Sequence, residues 1–466
     1  MSPTPRRVVV TGLGPITAAG IGVEGLRAGL RAARSPVSTI TSFDPIPFRS
    51  HMAAEVRDFD PSRYLGAKLV RRTDRFVQFA LAATVIALRD AGLRPAGRVG
   101  SGEADEGEEG DEGAGEDTGG GENAGARKDA GGRADANVAG AKENDLDPAR
   151  TAIQLGSAMG GIAHAETQLR RFLERGARSI DPRLATTTFA GAASCQVAIH
   201  FGISGPNSTN AMSCAAGTMA IGEGARLIRE GAVDVALVGG ADAPLAPVCY
   251  GAFAALRAMS RRNEAPQEAC RPFDADRDGF VMGEGACVLV LEERSRAMAR
   301  GRPIYAEIAG YGSNNDAHHM AAPRPDGAGA AAAIAAAMAE AGLEPGDVDH
   351  VNAHASSTTL NDVTETLALR SALGRHADRA AVTGTKPFHG HALGASGAIE
   401  AAIACLSIAD GWIPPTLNLT GPGAGCDLDY VTGAGRDRMI GVALSNSFGF
   451  GGINAVLALI APDARP

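Results

Sequence analysis

Cys214 stands among small residues, in 211-AMSCAAGTMAIGEGARLIREGA-232, where a helical pattern begins. Ser213, Ala215, Ala216 and Gly217 leave room for a ligand or another backbone beside the sulfur, and Met219, Ile221, Leu227 and Ile228 follow at helical spacing. A thiol at a helix N-terminus faces free N–H groups and the positive end of the dipole, and both lower its pKa from about 8.5 toward neutrality. The competing reading is a small buried hydrophobe. That reading suits Cys195, Cys249, Cys270, Cys287, Cys405 and Cys426. For Cys214 the local surroundings leave both open.

The histidines favour chemistry. His354, in VNAHASSTTLND, and His391, in GTKPFHGHALGASGAIEA, each lie just past a strand pattern in a turn of small residues. A cysteine with histidines distant in sequence is the arrangement that thiol-based acyl transfer uses. Lys386 precedes His391 by five residues, and Asp362 and Glu365 follow His354 by eight and eleven. These are charged partners able to orient or bias the imidazoles. Each histidine alone reads as structural; the combination reads as a nucleophile with its helpers.

Other constellations do not hold together. Asp274, Asp276, Asp278, Gly279 and Glu284 imitate a calcium loop, but the twelfth position is Gly285, where an EF-hand needs a bidentate glutamate. The glycines at 12–14 and 449–452 lack the spacing of a dinucleotide-binding turn. Seven cysteines without a CxxC pair give no disulfide or zinc framework and suit a reducing, cytoplasmic setting. No metal is expected.

The elements that position these residues alternate between apolar runs and helical patterns. Strands are expected at 8–14, 152–161, 233–242, 286–293, 304–312, 348–356, 380–386, 441–446 and 454–461, with helices at 76–93 and 327–343. Strands alternating with helices imply an α/β architecture with buried sheets. At 466 residues the chain exceeds a single core of about 250–300 residues, so two domains or two fused halves are expected. Glycine turns end strands in both halves, which hints at a repeat.

Charge is unevenly placed. Residues 101–130 hold 11 acidic and 2 basic side chains, 9 glycines and no aromatic or large aliphatic residue. Such a segment cannot offset the entropy of ordering, and roughly 98–148 is read as a disordered acidic surface loop. The remaining 42 acidic and 42 basic residues balance, which excludes the basic footprint of a nucleic-acid binder. No apolar run reaches 18 residues, so no membrane span is expected. The N-terminal apolar run breaks at Gly12, too early for a signal-peptide core.

Taken in order, VVVTGLG, the cysteine turn, CRPFDADRDGFVMGEGA, VNAHASSTTLND, TKPFHGHALGASGAIEA, IPPTLNL, CDLDYV and NSFGFGGINAVL resemble the β-ketoacyl-acyl-carrier-protein synthases of the elongating Cys-His-His class. The resemblance covers the chain except roughly 98–148. It implies a thiolase-like fold: two similar α/β halves, 1–263 and 264–466, in five layers αβαβα. It implies that Cys214 takes an acyl chain, and that His354 and His391 bind the thioester carbonyl of malonyl-carrier protein. Lys386 and Glu365 match the supporting charged pair, with Asp362 beside them. Phe448 matches the gate, and its N–H with that of Cys214 the oxyanion hole. Met159 in GSAMGG matches a position in the acyl pocket.

The implied reaction is a decarboxylating Claisen condensation, in fatty-acid or type II polyketide synthesis, with no cofactor. The implied partners are acyl carrier protein, acyl and malonyl thioesters, and a second subunit, identical or related. The chain departs from the pattern at AHASST, where AHGTST is usual, and at KPFHGH, where KSMTGH is usual; Phe388 and His389 are the novel residues. Two relatives of the same fold compete. A chain-length-factor-like partner lacks the nucleophile, whereas Cys214 is present. A thiolase uses a second cysteine near the chain end, and none follows Cys426.

Overall fold

The strands of the core, in chain order, are β1 (Val8–Thr17), β2 (Thr151–Gly156), β3 (Asn207–Asn210), β4 (Val235–Asp242), β5 (Gly285–Glu293), β6 (Ala306–Asn315), β7 (His350–Asn352), β8 (Ala381–Thr383), β9 (Asp429–Tyr430), β10 (Val442–Gly449) and β11 (Ile453–Ile460). The helices that cover them are α1 (Arg75–Ala91), α2 (Ala192–Phe201), α3 (Ala216–Arg229), α4 (Ala328–Ala341), α5 (Asn361–Leu373) and α6 (Ser396–Asp410). They come from a computed structural model that describes residues 6–95 and 145–464.

Two sheets with one plan emerge. The first runs β3-β2-β4-β5-β1 and the second β8-β7-β10-β11-β6, with β9 added beside β8. In each, the first three strands are parallel and the last two pairings antiparallel. The sheets touch where Val9 and Val10 of β1 meet Glu307 and Ala306 of β6. Helices α1 and α2 cover the first sheet, α3 and α6 lie between the sheets, and α4 and α5 cover the second. These are the five layers αβαβα expected.

Glycines explain how tightly the layers fit. A Cβ on Gly12 or Gly14 of β1 would lie 2.4 or 1.9 Å from the carbonyl oxygens of Ala87 and Ala83 in α1. A Cβ on Gly310 or Gly312 of β6 would lie 2.1 or 2.0 Å from those of Ala337 and Ala333 in α4. Helix backbone thus rests on strand backbone in both halves, at the same glycine-x-glycine spacing. The repeat that the glycine turns hinted at is present.

The division expected at 263/264 moves. Strand β5 pairs with β4 and β1, so the first half runs to Glu293 and the second begins by Ala306. Of the acidic segment expected over 98–148, residues 98–144 lie outside the described residues. Residues 145–148 belong to the fold: Leu146 is buried, its N–H donates to the Arg94 carbonyl at 2.9 Å, and the Pro148 carbonyl accepts from Ser204 and Gly205.

The repeat extends to the turns that enter the middle layer. Residues Ser213–Ala215 make one 3₁₀ turn before α3, and Leu393–Ala395 make one before α6. Ser213 and Leu393 both have φ of +49°, a left-handed conformation that side chains rarely adopt. The first turn carries Cys214; the second carries Gly394 in the equivalent place. Among the described residues one helical stretch, Leu393–Asp410, is long and apolar enough to cross a membrane, and 89% of it is buried inside the fold.

Candidate active site

Cys214 rides on the strained turn ahead of α3, between the two sheets and nearly buried. Its Sγ lies 3.1 Å from Nε2 of His391 and 3.6 Å from the Ser213 hydroxyl. The backbone N–H that reaches the sulfur is that of Phe450. Burial pushes the thiol up, against the Ser213 hydroxyl, the Lys386 charge and that N–H. The helix-end effect expected to lower it is outweighed, because a buried thiolate loses its hydration.

His391 is fixed at both ends. Its backbone N–H donates to the Val281 carbonyl at 2.7 Å, and its Nδ1 lies 3.0 Å from the Ser396 hydroxyl at the start of α6. His354 follows β7, its ring centroid 5.5 Å from that of His391. Both imidazoles are held well below the usual range, by burial first and by the Lys386 charge second. Both are therefore neutral at pH 7.

Lys386 is fully buried. Its Nζ lies 2.5 Å from Glu400 Oε1 and 3.4 Å from His354 Nδ1, and it also donates to the His354 carbonyl. The supporting pair is thus Lys386 with Glu400, not with Glu365. Glu365 is occupied otherwise: Oε1 accepts from the N–H of His354 at 2.8 Å and Oε2 from that of Ala355 at 2.8 Å. Asn446 adds a bond at 3.1 Å. The carboxylate shapes the His354 turn, in which Ala355 and Ser357 have positive φ. Asp362 takes the N–H of Phe273 at 2.8 Å and so pins the neighbouring 271–279 segment.

Phe448 is the expected gate and Met159 the expected acyl-pocket residue. Phe448 is the penultimate residue of β10, in ladder register with Asn454, its ring centroid 6.0 Å from that of His354. Phe450, two residues on, is the residue whose N–H meets the sulfur, and its ring stacks on Phe253 at 6.2 Å. Met159 does not line the cavity above Cys214; its N–H is drawn onto Asp242 at 3.0 Å. That cavity is about 240 Å³ and is lined by Cys214, His354, His391, Phe280, Phe448 and Phe450 among others.

The novel residues Phe388 and His389 are both fully buried. Phe388 joins the middle-layer core. His389 has no hydrogen-bond partner at either ring nitrogen, and burial with the Lys386 charge pulls it down to about 3. In the calcium-like segment, the Asp274 carboxylate accepts from Arg271 Nε and from the N–H groups of Asp276, Thr420 and Gly421. Among the described residues no cluster of His, Cys, Asp or Glu is arranged to hold a metal.

Glu400, Ser396 and Phe450 escaped the sequence reading, and Ser213 was read only as leaving room beside the sulfur, not as its hydrogen-bond partner. Ser396 and Glu400 had a faint signal: they sit four residues apart, on one face of the helix after His391. Phe450 lies in the same NSFGFGG motif as Phe448.

A nearly buried cysteine against one of two neutral histidines, at the seam of a duplicated five-layer fold, defines the condensing-enzyme class of thiolase-like proteins. The chain belongs to the β-ketoacyl synthase family: the model of its N-terminal domain matches residues 5–108 and 136–297, and that of its C-terminal domain residues 305–420. A 3-oxoacyl-[acyl-carrier-protein] synthase 2 from Synechocystis is 41% identical over 97% of this chain and 97% of its own. A solved ishigamide ketosynthase/chain length factor matches with a TM-score of 0.83 and 33% identity, over 98% of this chain and 100% of that one. A type II polyketide synthase acyl-carrier protein in complex with its ketosynthase bound to the hexaketide matches at 0.82 and 32%, over 98% and 100%.

Proposed function

We propose that this protein is a β-ketoacyl-acyl-carrier-protein synthase, an acyltransferase that joins an acyl group held on Cys214 to malonyl-carrier protein with loss of CO2. The observation that carries this is the 3.1 Å approach of Cys214 Sγ to His391 Nε2, with His354 beside them in one cavity. A partner without the nucleophile has no use for this assembly.

In the first half-reaction the Cys214 thiolate attacks the acyl thioester. The carbonyl oxygen becomes an oxyanion facing the N–H groups of Cys214 and Phe450; its collapse breaks the C–S bond and expels the carrier thiolate, which takes up the proton that Cys214 gave up on forming its thiolate. A thiolate serves because it attacks well and later leaves well. In the second half-reaction the malonyl thioester carbonyl accepts hydrogen bonds from Nε2–H of His354 and of His391. Lys386 donating to His354 Nδ1, and the Ser396 hydroxyl donating to His391 Nδ1, set that tautomer at each ring. The C–CO2 bond breaks, its electron pair forms the enolate, and the enolate carbon attacks the acyl-cysteine. Cys214 returns as thiolate. Losing one such donor costs about 10²–10³ in rate.

The partners in this reading are acyl carrier protein and a second subunit, in a homodimer or with a related chain. The setting is cytoplasmic, and the pathway is fatty-acid or type II polyketide synthesis. The test is intact-mass and peptide mass spectrometry after incubation with a panel of acyl-carrier proteins. Acylation at Cys214 is expected; acylation elsewhere, or none, sinks the assignment.

A further inference from the structure

Asp242 ends β4, fully buried, and the mechanism above does not use it. Its carboxylate is filled. Oδ1 accepts from the Ser157 hydroxyl at 2.8 Å and the Met159 N–H at 3.0 Å. Oδ2 accepts from the N–H groups of Ala158 at 2.8 Å and Gly394 at 2.7 Å. Burial pushes the carboxyl up to about 6, and these same donors oppose it.

Three donors belong to the turn after β2, in the first half. The fourth belongs to the turn between His391 and α6, in the second. The end of β2, where the first turn begins, and the second turn both press on the start of the cysteine helix. A Cβ on Gly156 would lie 2.4 Å from the Ala216 carbonyl carbon, and one on Gly217 2.7 Å from the Gly394 carbonyl oxygen. The joint closes only with glycine at 394, where a Cβ would lie 2.6 Å from Ala158 N and 2.7 Å from Asp242 Oδ2. Just before it, Leu393 lines the cavity above Cys214.

We propose that Asp242 is a positioning residue: it clamps the turn of Met159 to the turn of His391 and Leu393, and so sets which acyl chains fit beside Cys214. The proposal rests on the reading of the site given above. Once freed from the first turn, the second turn shifts and carries Leu393 with it, and Leu393 lines the cavity above Cys214. An amide at 242 would turn an NH2 group toward one pair of donors and open the clamp.

The experiment compares rates of Cys214 acylation by hexanoyl- and hexadecanoyl-carrier protein in wild type, Asp242→Asn and Ser157→Ala. In Asp242→Asn the ratio of the two rates is expected to change by about fivefold or more, since pocket fit discriminates chains of different length. Ser157→Ala keeps the carboxylate, removes one of its four donors, and changes the ratio in the same direction by less; it carries the test if Asp242→Asn does not fold. An unchanged ratio, whether both rates fall together or neither falls, overturns the inference, because a merely structural tie weakens all chains alike. A wild-type protein that takes neither acyl group overturns the reading of the site as well.

Discussion

Lys386→Met removes the ammonium from a site where Glu400 is fully buried. In the wild type, burial raises the Glu400 carboxyl to about 7 while the Lys386 charge pulls it back. A carboxyl raised above its unfolded value binds its proton more tightly in the folded state. Its contribution is therefore complete below about pH 4.5, declines as pH rises to about 7, and then levels off. Without Lys386 nothing opposes burial, the carboxyl titrates higher, and the decline continues past neutrality at about 1.4 kcal/mol per pH unit. The stability gap between variant and wild type should then widen by about 2 kcal/mol between pH values of about 7 and 8.5. Urea unfolding followed by circular dichroism at several pH values measures it. The double variant Lys386→Met/Glu400→Gln has no group there to titrate, so its gap should be flat. A single-variant gap that is equally flat would refute the reasoning.

Cys214→Ala is expected to abolish covalent acyl loading while CO2 release from malonyl-carrier protein continues; a radiolabelled acyl group still bound to that variant would contradict the assignment. Ser213→Ala removes a donor to the thiolate, so the pH midpoint of iodoacetamide alkylation should rise and the rate at neutral pH fall roughly fivefold, the effect of about 1 kcal/mol. Gly14→Ala drives a methyl group to 1.9 Å from the Ala83 carbonyl and should cost about 3 kcal/mol in chemical denaturation. Gly312→Ala, its counterpart in the second half, should cost about as much; wild-type stability in either variant would count against backbone-on-backbone packing.

Much of this was legible because apolar runs ending in glycine are strands, and the chemical residues follow such runs. Cys214, His354 and His391 stood out for that reason. What was not legible depends on packing. Lys386 and Glu400 are 14 residues apart, and only the docking of α6 brings them together, while Glu365 faces the His354 turn instead. Phe448 and Phe450 differ by two residues of one motif, and the end of β10 decides which N–H meets the sulfur. The direction of the Cys214 shift turns on burial, which no local pattern reports. The division between the halves was misplaced because the long segment between β4 and β5 conceals that β5 returns to the first sheet.

The twin turns at Ser213 and Leu393 say something about how one site can arise from a doubled chain. Each half brings the same strained entry to the same middle layer, so the architecture offers two equivalent posts. Only one is staffed by a thiol; the other holds Gly394 and takes the clamp of Asp242. The half with glycine supplies the imidazoles and the buried ammonium instead. The two halves thus hold two specialised parts of one task, and the covalent link between them keeps the two in a fixed one-to-one ratio.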